Sequence, residues 1–75
     1  MAAKAKATQD KVYKRIELVG TSTTSFEAAI ENAVLRAGET LENLRWFEVR
    51  ELRGALTDTG ILEYQAIVMI AFEVR

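Results

Sequence analysis

The chain has 75 residues, 49% of them hydrophobic, which is enough for one domain at most. It lacks cysteine, histidine and proline, so disulfides, histidine-based catalytic triads and Cys/His zinc sites are excluded. Ten basic and eleven acidic residues give a formal net charge of −1, which offers no electrostatic reason to expect a nucleic-acid partner.

A domain of this size buries a modest fraction of its unfolded surface, so we expect oligomerisation to supply extra stability. No apolar run approaches the roughly 18 residues of a membrane span, and residues 1–10 lack the apolar segment of a signal peptide. We therefore expect a cytoplasmic protein with no membrane partner. Residues 1–10 also lack aromatic and β-branched apolar side chains, which predicts a flexible N-terminal tail before a single domain at 11–75.

The first predicted element is a strand over residues 11–19, because apolar side chains alternate there with polar ones. The polar segment 20–25 that follows predicts a turn and a helix N-cap. Thr24 with Glu27 fits a capping box, and Ser22 is a competing cap. Apolar residues with helical spacing predict a helix from about 23 to about 40, which Gly38 could end or bend. These residues are Phe26, Ala29, Ile30, Ala33, Val34, Ala37 and Leu41.

Two further strands are predicted over residues 45–56 and 61–74, with turn residues between Gly54 and Gly60. The last strand is apolar on both faces, which is typical of a strand that is covered on both sides. One helix can cover one side only, so a partner subunit is expected on the other. An α+β fold follows, a β-α-β-β unit whose three-stranded antiparallel sheet has the order 1-3-2, with the last strand in the centre.

Two side chains on the predicted helix-free face are suited to a planar ligand. Alternation places Phe47 and Val49 toward the helix, which leaves Trp46 on the opposite face together with Gln65. An indole offers a flat stacking surface, and an amide can donate and accept hydrogen bonds at a ring edge. The competing interpretation is that Trp46 anchors a subunit interface and Gln65 is a satisfied polar group there.

Catalytic groups are few in this sequence. Glu48 with Glu51, or Glu63 with Glu73, could form carboxylate pairs for acid–base chemistry, but scattered glutamates on a half-solvated sheet are usually surface residues. We therefore expect a protein that is not an enzyme.

Four stretches resemble the dodecins, a family of small flavin-binding proteins: VYKRIELVGTS at 12–22, EAAIENAVLRA at 27–37, RWFEVRELRG at 45–54 and EYQAIVMIAFEV at 63–74. The resemblance implies a β-α-β-β fold that assembles as a hollow homododecamer. It also implies that flavins bind as stacked pairs between tryptophans at contacts between subunits. The implied role is storage or buffering of flavin and photoprotective quenching, with FMN, riboflavin or another flavin as the cofactor. We expect no metal site, because cysteine and histidine are absent.

The family's site residues map onto three positions. Trp46 matches the stacking tryptophan, Gln65 the glutamine at the ring edge, and Arg53 the arginine near the phosphate-bearing tail. By simple alternation Arg53 lies on the face opposite Trp46, so a bulge near Gly54 is needed to bring it round. Glu73 stands where related proteins often carry a second arginine, which favours riboflavin over FMN. The alternative is an oligomeric shell whose main ligand is another nucleotide-like cofactor, for example coenzyme A, or none.

Overall fold

The computed structural model describes residues 10–75, so nearly all of the predicted tail at 1–10 lies outside the described residues. The elements are β1 (Val12–Ser22), α1 (Phe26–Thr40), β2 (Leu44–Thr57) and β3 (Gly60–Val74). They form one antiparallel sheet of order β1-β3-β2, which confirms the predicted β-α-β-β topology. No helix among residues 10–75 is long and apolar enough to cross a membrane.

The helix begins later than predicted because Ser25, not Thr24, is its N-cap. Ser25 has an extended backbone, and its hydroxyl oxygen accepts the backbone N–H of Ala28 at 3.0 Å. The competing cap, Ser22, instead accepts the N–H of Thr24 at 2.9 Å, which forms a local turn at the end of β1. Gly38 does not end the helix, which continues to Thr40.

Small side chains bring the helix close to the sheet. Gly20 is fully part of β1, although the sequence predicted a turn there, and it faces the helix backbone at Ala29. The buried core joins alanines of α1 to the helix-facing side of β3. Its members are Ala29, Ala33, Ala37, Ala66, Val68 and Ile70.

The helix lies over β1 and β3 and makes few contacts with β2. Phe47, Val49 and Leu52 are on the helix side of β2, opposite Ile70, Val68 and Ala66 of β3, yet each is more than 40% exposed. Phe47 and Val49 are therefore directed toward the helix side, as predicted, but the helix does not cover them. The faces are as predicted, but one helix is too narrow to cover three strands.

β2 departs from regular alternation. Its pairing with β3 shifts between Val49 and Glu51, so that Arg50 is an extra residue without a partner in β3. A second shift, between Leu44 and Trp46, leaves Arg45 unpaired. β2 also continues to Thr57, and the turn into β3 is limited to residues 58–59, which is shorter than the predicted turn.

Candidate functional site

The sheet face away from α1 carries the three residues predicted to bind a ligand. Residues that pair across an antiparallel ladder lie on the same face, so the register defines this surface. Trp46 pairs with Ala71, and Arg53 pairs with Gln65, which in turn pairs with Thr21. We call this surface the helix-free face. Its side chains are Tyr13, Arg15, Glu17, Val19 and Thr21 from β1, Trp46, Glu48, Glu51, Arg53 and Ala55 from β2, and Glu63, Gln65, Ile67, Met69, Ala71 and Glu73 from β3.

Arg53 reaches this face through the irregularity at Arg50. Trp46 and Arg53 are seven residues apart, an odd spacing that would put them on opposite faces of a regular strand. The extra residue between Val49 and Glu51 restores the same face downstream. The bulge expected near Gly54 is therefore located four residues earlier, although its effect on Arg53 is the one that was needed.

Trp46 forms a group with three neighbouring side chains, which we call the tryptophan end. Its members are Trp46, Tyr13, Glu48 and Arg15. The indole Nε1 donates to Glu48 Oε2 at 2.9 Å, and the ring of Tyr13 meets the indole edge to face, with centroids 4.9 Å apart. Arg15 Nη1 donates to both carboxylate oxygens of Glu48 at 3.1 Å. Trp46 remains 43% exposed, so a large part of the indole is open to a ligand or a partner subunit.

The charge state of Glu48 follows from these bonds. The hydrogen bond from Trp46, and then that from Arg15, favour the ionised carboxylate and hold the pKa of Glu48 below its ordinary value of 4.5. The nearby positive charges of Arg15 and Arg50 act in the same direction, while burial opposes them. Glu48 is therefore an anion beside the indole at neutral pH.

Gln65 belongs to a second group, the glutamine end: Gln65, Arg53 and Glu63. Arg53 Nε donates to Gln65 Oε1 at 2.7 Å, and Gln65 Nε2 donates to Glu63 Oε1 at 2.9 Å. These two hydrogen bonds fix the orientation of the side-chain amide, with its oxygen toward Arg53 and its nitrogen toward Glu63. An amide has two N–H groups and two acceptor sites on its oxygen, so one of each remains for a ligand edge that offers a carbonyl beside an N–H.

The two ends of the helix-free face are far apart within one subunit. Trp46 is level with Ala71 and Gln65 lies six residues away along β3, which corresponds to about 20 Å at the rise of a β-strand. A single tricyclic ring cannot contact both residues of the same chain across this length. If both bind one planar ligand, they come from different subunits.

Glu73 lies beyond the tryptophan end and is enclosed by basic side chains. Its carboxylate oxygens are 2.9 Å from Arg45 Nη2, 3.5 Å from Arg75 Nε and 3.7 Å from Lys11 Nζ, and the side chain is only 10% exposed. Burial alone would raise the pKa of Glu73, but the hydrogen bond from Arg45 and the charges of all three cations outweigh it, so the pKa lies below 4.5.

Neither of the carboxylate pairs considered from the sequence is arranged for acid–base work. Glu48 binds Trp46 and Arg15, whereas Glu51 makes no hydrogen bond or ion pair with residues 10–75. Glu63 and Glu73 are at opposite ends of β3. Within residues 10–75 no group of three or more acidic side chains is placed to hold a metal ion.

The sequence matches the model of the dodecin family over residues 12–75. This chain belongs to the dodecin family. It is 50% identical over 65 residues to the dodecin of Thermus thermophilus, covering 87% of this chain and 94% of that protein. The structure of the dodecin from Streptomyces davaonensis superposes with a TM-score of 0.84 at 39% identity, covering 89% and 98% of the two chains.

Another dodecin among the relatives is named for a metal ion. The calcium dodecin of Mycobacterium tuberculosis is 36% identical over 64 residues, covering 85% of this chain and 90% of that protein. Its crystal structure, described as having a calcium-binding site, superposes with a TM-score of 0.76. The dodecin family thus comprises small ligand-binding proteins, and one of its members is named for calcium.

Sequence reasoning did not find the partners of the site residues. Arg15 and Glu48 are 33 positions apart, and only the strand register brings them together beside Trp46. Glu63 differs in that it is two residues from Gln65, on the same side of a strand, so alternation could have identified it as a neighbour.

Proposed function

We propose that this dodecin binds flavins as stacked pairs between Trp46 side chains at subunit contacts of a cytoplasmic homododecamer, and that it stores or buffers them and quenches their excited states. Trp46 provides the stacking surface, Gln65 the hydrogen bonds to the polar ring edge, and Arg53 the contact to a phosphate-bearing tail. The protein itself catalyses no reaction in this proposal.

The observation that carries the proposal is the composition of the helix-free face. A half-exposed indole, an amide with unused bonding capacity and an arginine all lie on it. The distance of about 20 Å between Trp46 and Gln65 in one chain means that a ring bound by both residues would be shared by subunits. Stacked pairs at a contact between subunits meet that requirement, and they also cover the exposed indole.

A comparison of spacings supports the roles of Trp46 and Arg53. Crystal structures of the Thermus thermophilus dodecin include a variant with a tryptophan changed to phenylalanine and another with an arginine, seven positions later, changed to alanine. Trp46 and Arg53 have the same spacing here. A third variant replaces an arginine 27 positions after that tryptophan, and this chain has Glu73 at that spacing from Trp46.

The surroundings of Glu73 modify the expected preference for riboflavin. A lone carboxylate would repel a phosphate, but three basic side chains lie within 4 Å of this one. We propose that Glu73 occupies cations which would otherwise be available to the phosphate of FMN. Riboflavin binding does not depend on those cations, so riboflavin remains the favoured ligand.

Photoprotection would use the oxidisable indole. A bound flavin supplies a light-absorbing ring that becomes a one-electron oxidant when it is excited. Trp46, stacked against that ring, could give it an electron and recover it before light is emitted. The sequence contains a single tryptophan, so any quenching by tryptophan is assigned to Trp46.

The test is a fluorescence titration of riboflavin and of FMN with the purified protein, its Trp46→Ala variant and its Trp46→Phe variant. Trp46→Ala should weaken flavin binding by about tenfold or more, because it removes a stacking contribution of about 0.5–1.5 kcal/mol together with the burial of the indole's apolar surface. Trp46→Phe should keep more of the affinity and lose quenching, because phenylalanine stacks but is hard to oxidise. Size-exclusion chromatography should show the same assembly for all three proteins.

A Trp46→Ala variant that binds and quenches flavin like the wild type would refute the stacking role. A colourless wild-type protein that leaves the fluorescence of both flavins unchanged would favour the alternative, a shell for coenzyme A, for another nucleotide-like cofactor or for no ligand. Calcium binding is a property named for the Mycobacterium relative, and no acidic cluster within residues 10–75 of one chain supports it here.

A further inference from the structure

We infer that Glu48 controls how readily Trp46 gives up an electron. This inference rests on the proposed function, because that function makes Trp46 the electron donor to an excited flavin. It goes further by assigning a tuning role to Glu48, which is not among the ligand contacts proposed above. Glu48 is therefore a positioning residue that acts through Trp46.

The negatively charged carboxylate of Glu48 is the hydrogen-bond acceptor of the indole N–H. Oε2 of Glu48 accepts the hydrogen bond from Nε1 at 2.9 Å, and Arg15 holds both oxygens of the same carboxylate at 3.1 Å. The register fixes this arrangement, since Trp46 and Arg15 flank Ala71 of β3 while Glu48 pairs with Met69 one step along the same face. The carboxylate is bonded on both sides and cannot turn away freely.

Loss of an electron changes the charge of the indole from zero to positive. Only the electron moves, from Trp46 to a one-electron oxidant, and the Nε1 proton stays in the hydrogen bond with Glu48. The adjacent carboxylate lowers the free energy of the oxidised indole relative to the neutral one, because opposite charges at hydrogen-bond distance attract. When the electron returns, the neutral indole and the original hydrogen bond are restored.

Arg15 opposes this effect. Its positive charge lies next to Glu48 and cancels part of the field that the carboxylate exerts on the indole. Removing Glu48 and removing Arg15 should therefore shift the oxidation of Trp46 in opposite directions. A merely structural role would not do so, since loosening the tryptophan end by either change would have the same kind of effect.

The experiment measures the one-electron potential of Trp46 in the full-length protein without flavin. Azide radicals made by pulse radiolysis oxidise the indole, and the equilibrium with a reference donor gives the potential. All variants carry Tyr13→Phe, which keeps a ring against the indole but removes a phenol that could take over the radical. The test variants are Glu48→Gln and Arg15→Met. Glu51→Gln is the control, because it removes the same charge from the same face without touching Trp46.

We expect Glu48→Gln to make oxidation of Trp46 about tenfold less favourable, Arg15→Met to make it more favourable, and Glu51→Gln to leave it nearly unchanged. Equal potentials for Glu48→Gln and its parent would overturn the inference, as would shifts of the same sign for Glu48→Gln and Arg15→Met. Since no flavin is present, this result stands apart from the titration. A protein that ignores flavin but shows the opposed shifts refutes the proposed function and keeps the tuning by Glu48.

Discussion

Gly20 offers the sharpest test of how α1 is seated on the sheet. A Cβ atom built on Gly20 would lie 2.1 Å from the backbone oxygen of Ala29 and 2.9 Å from the Cβ of Ala33. Neither atom belongs to a flexible side chain, so Gly20→Ala forces the helix away from β1. Overpacking of this kind costs about 1–3 kcal/mol, and we expect a loss near 3 kcal/mol because the closest neighbour is backbone.

The assay is urea denaturation followed by circular dichroism at one fixed protein concentration, since association of subunits contributes to the measured stability. Gly38→Ala is the matched control, because its added methyl would approach only Leu44 Cδ1, at 3.9 Å. In the helix this control should gain about 0.5–1 kcal/mol. A Gly20→Ala protein within about 1 kcal/mol of the wild type would refute the close approach of the helix to β1.

Three further predictions concern the ends of the helix-free face. Arg53→Met should weaken FMN binding more than riboflavin binding and should also loosen Gln65, whereas Arg50→Met, which removes the same charge at the bulge, should not change the ratio of the two affinities in a titration. Glu73→Gln should raise the affinity for FMN relative to riboflavin by releasing Arg45 and its neighbouring cations, and an unchanged ratio would contradict this. The lowered pKa of Glu73 means that its ion pairs stabilise the fold above pH 4.5 and are lost as the pH falls through the folded-state pKa. Denaturation curves of the wild type and Glu73→Gln should therefore differ at neutral pH and converge in acid.

Local patterns in the sequence were sufficient to predict the topology. The alternation around Ile16 and the helical spacing of Ala29, Ala33 and Ala37 define their elements without reference to the rest of the chain. The two-sided apolar character of β3 identifies it as the central strand, which the register confirms. The N-cap was misplaced by one residue because Ser22, Thr24 and Ser25 all have capping side chains, and only the local turn at Ser22 selects among them.

The arrangement of the site depended on information that local patterns do not contain. The bulge at Arg50 has no glycine or other local signal, because it arises from how β2 aligns with β3 over their whole length. The position of α1 over β1 and β3, which leaves Phe47 exposed, likewise depends on packing between distant segments. The separation of Trp46 and Gln65 follows from strand register, so their shared face could be predicted from alternation but the distance between them could not.

The extra residue in β2 means that the number of residues between two positions in this strand does not by itself tell whether their side chains share a face. Deleting Arg50 would place Glu51 directly after Val49 and make the strand regular, so Glu51, Leu52 and Arg53 would keep the sides on which they now project. Those sides would be exchanged if Arg50 were kept but paired with Ile67, because Leu52 would then lie opposite Gln65 on the helix-free face. Equivalent positions in other dodecins should therefore be matched by strand pairing before their side chains are compared.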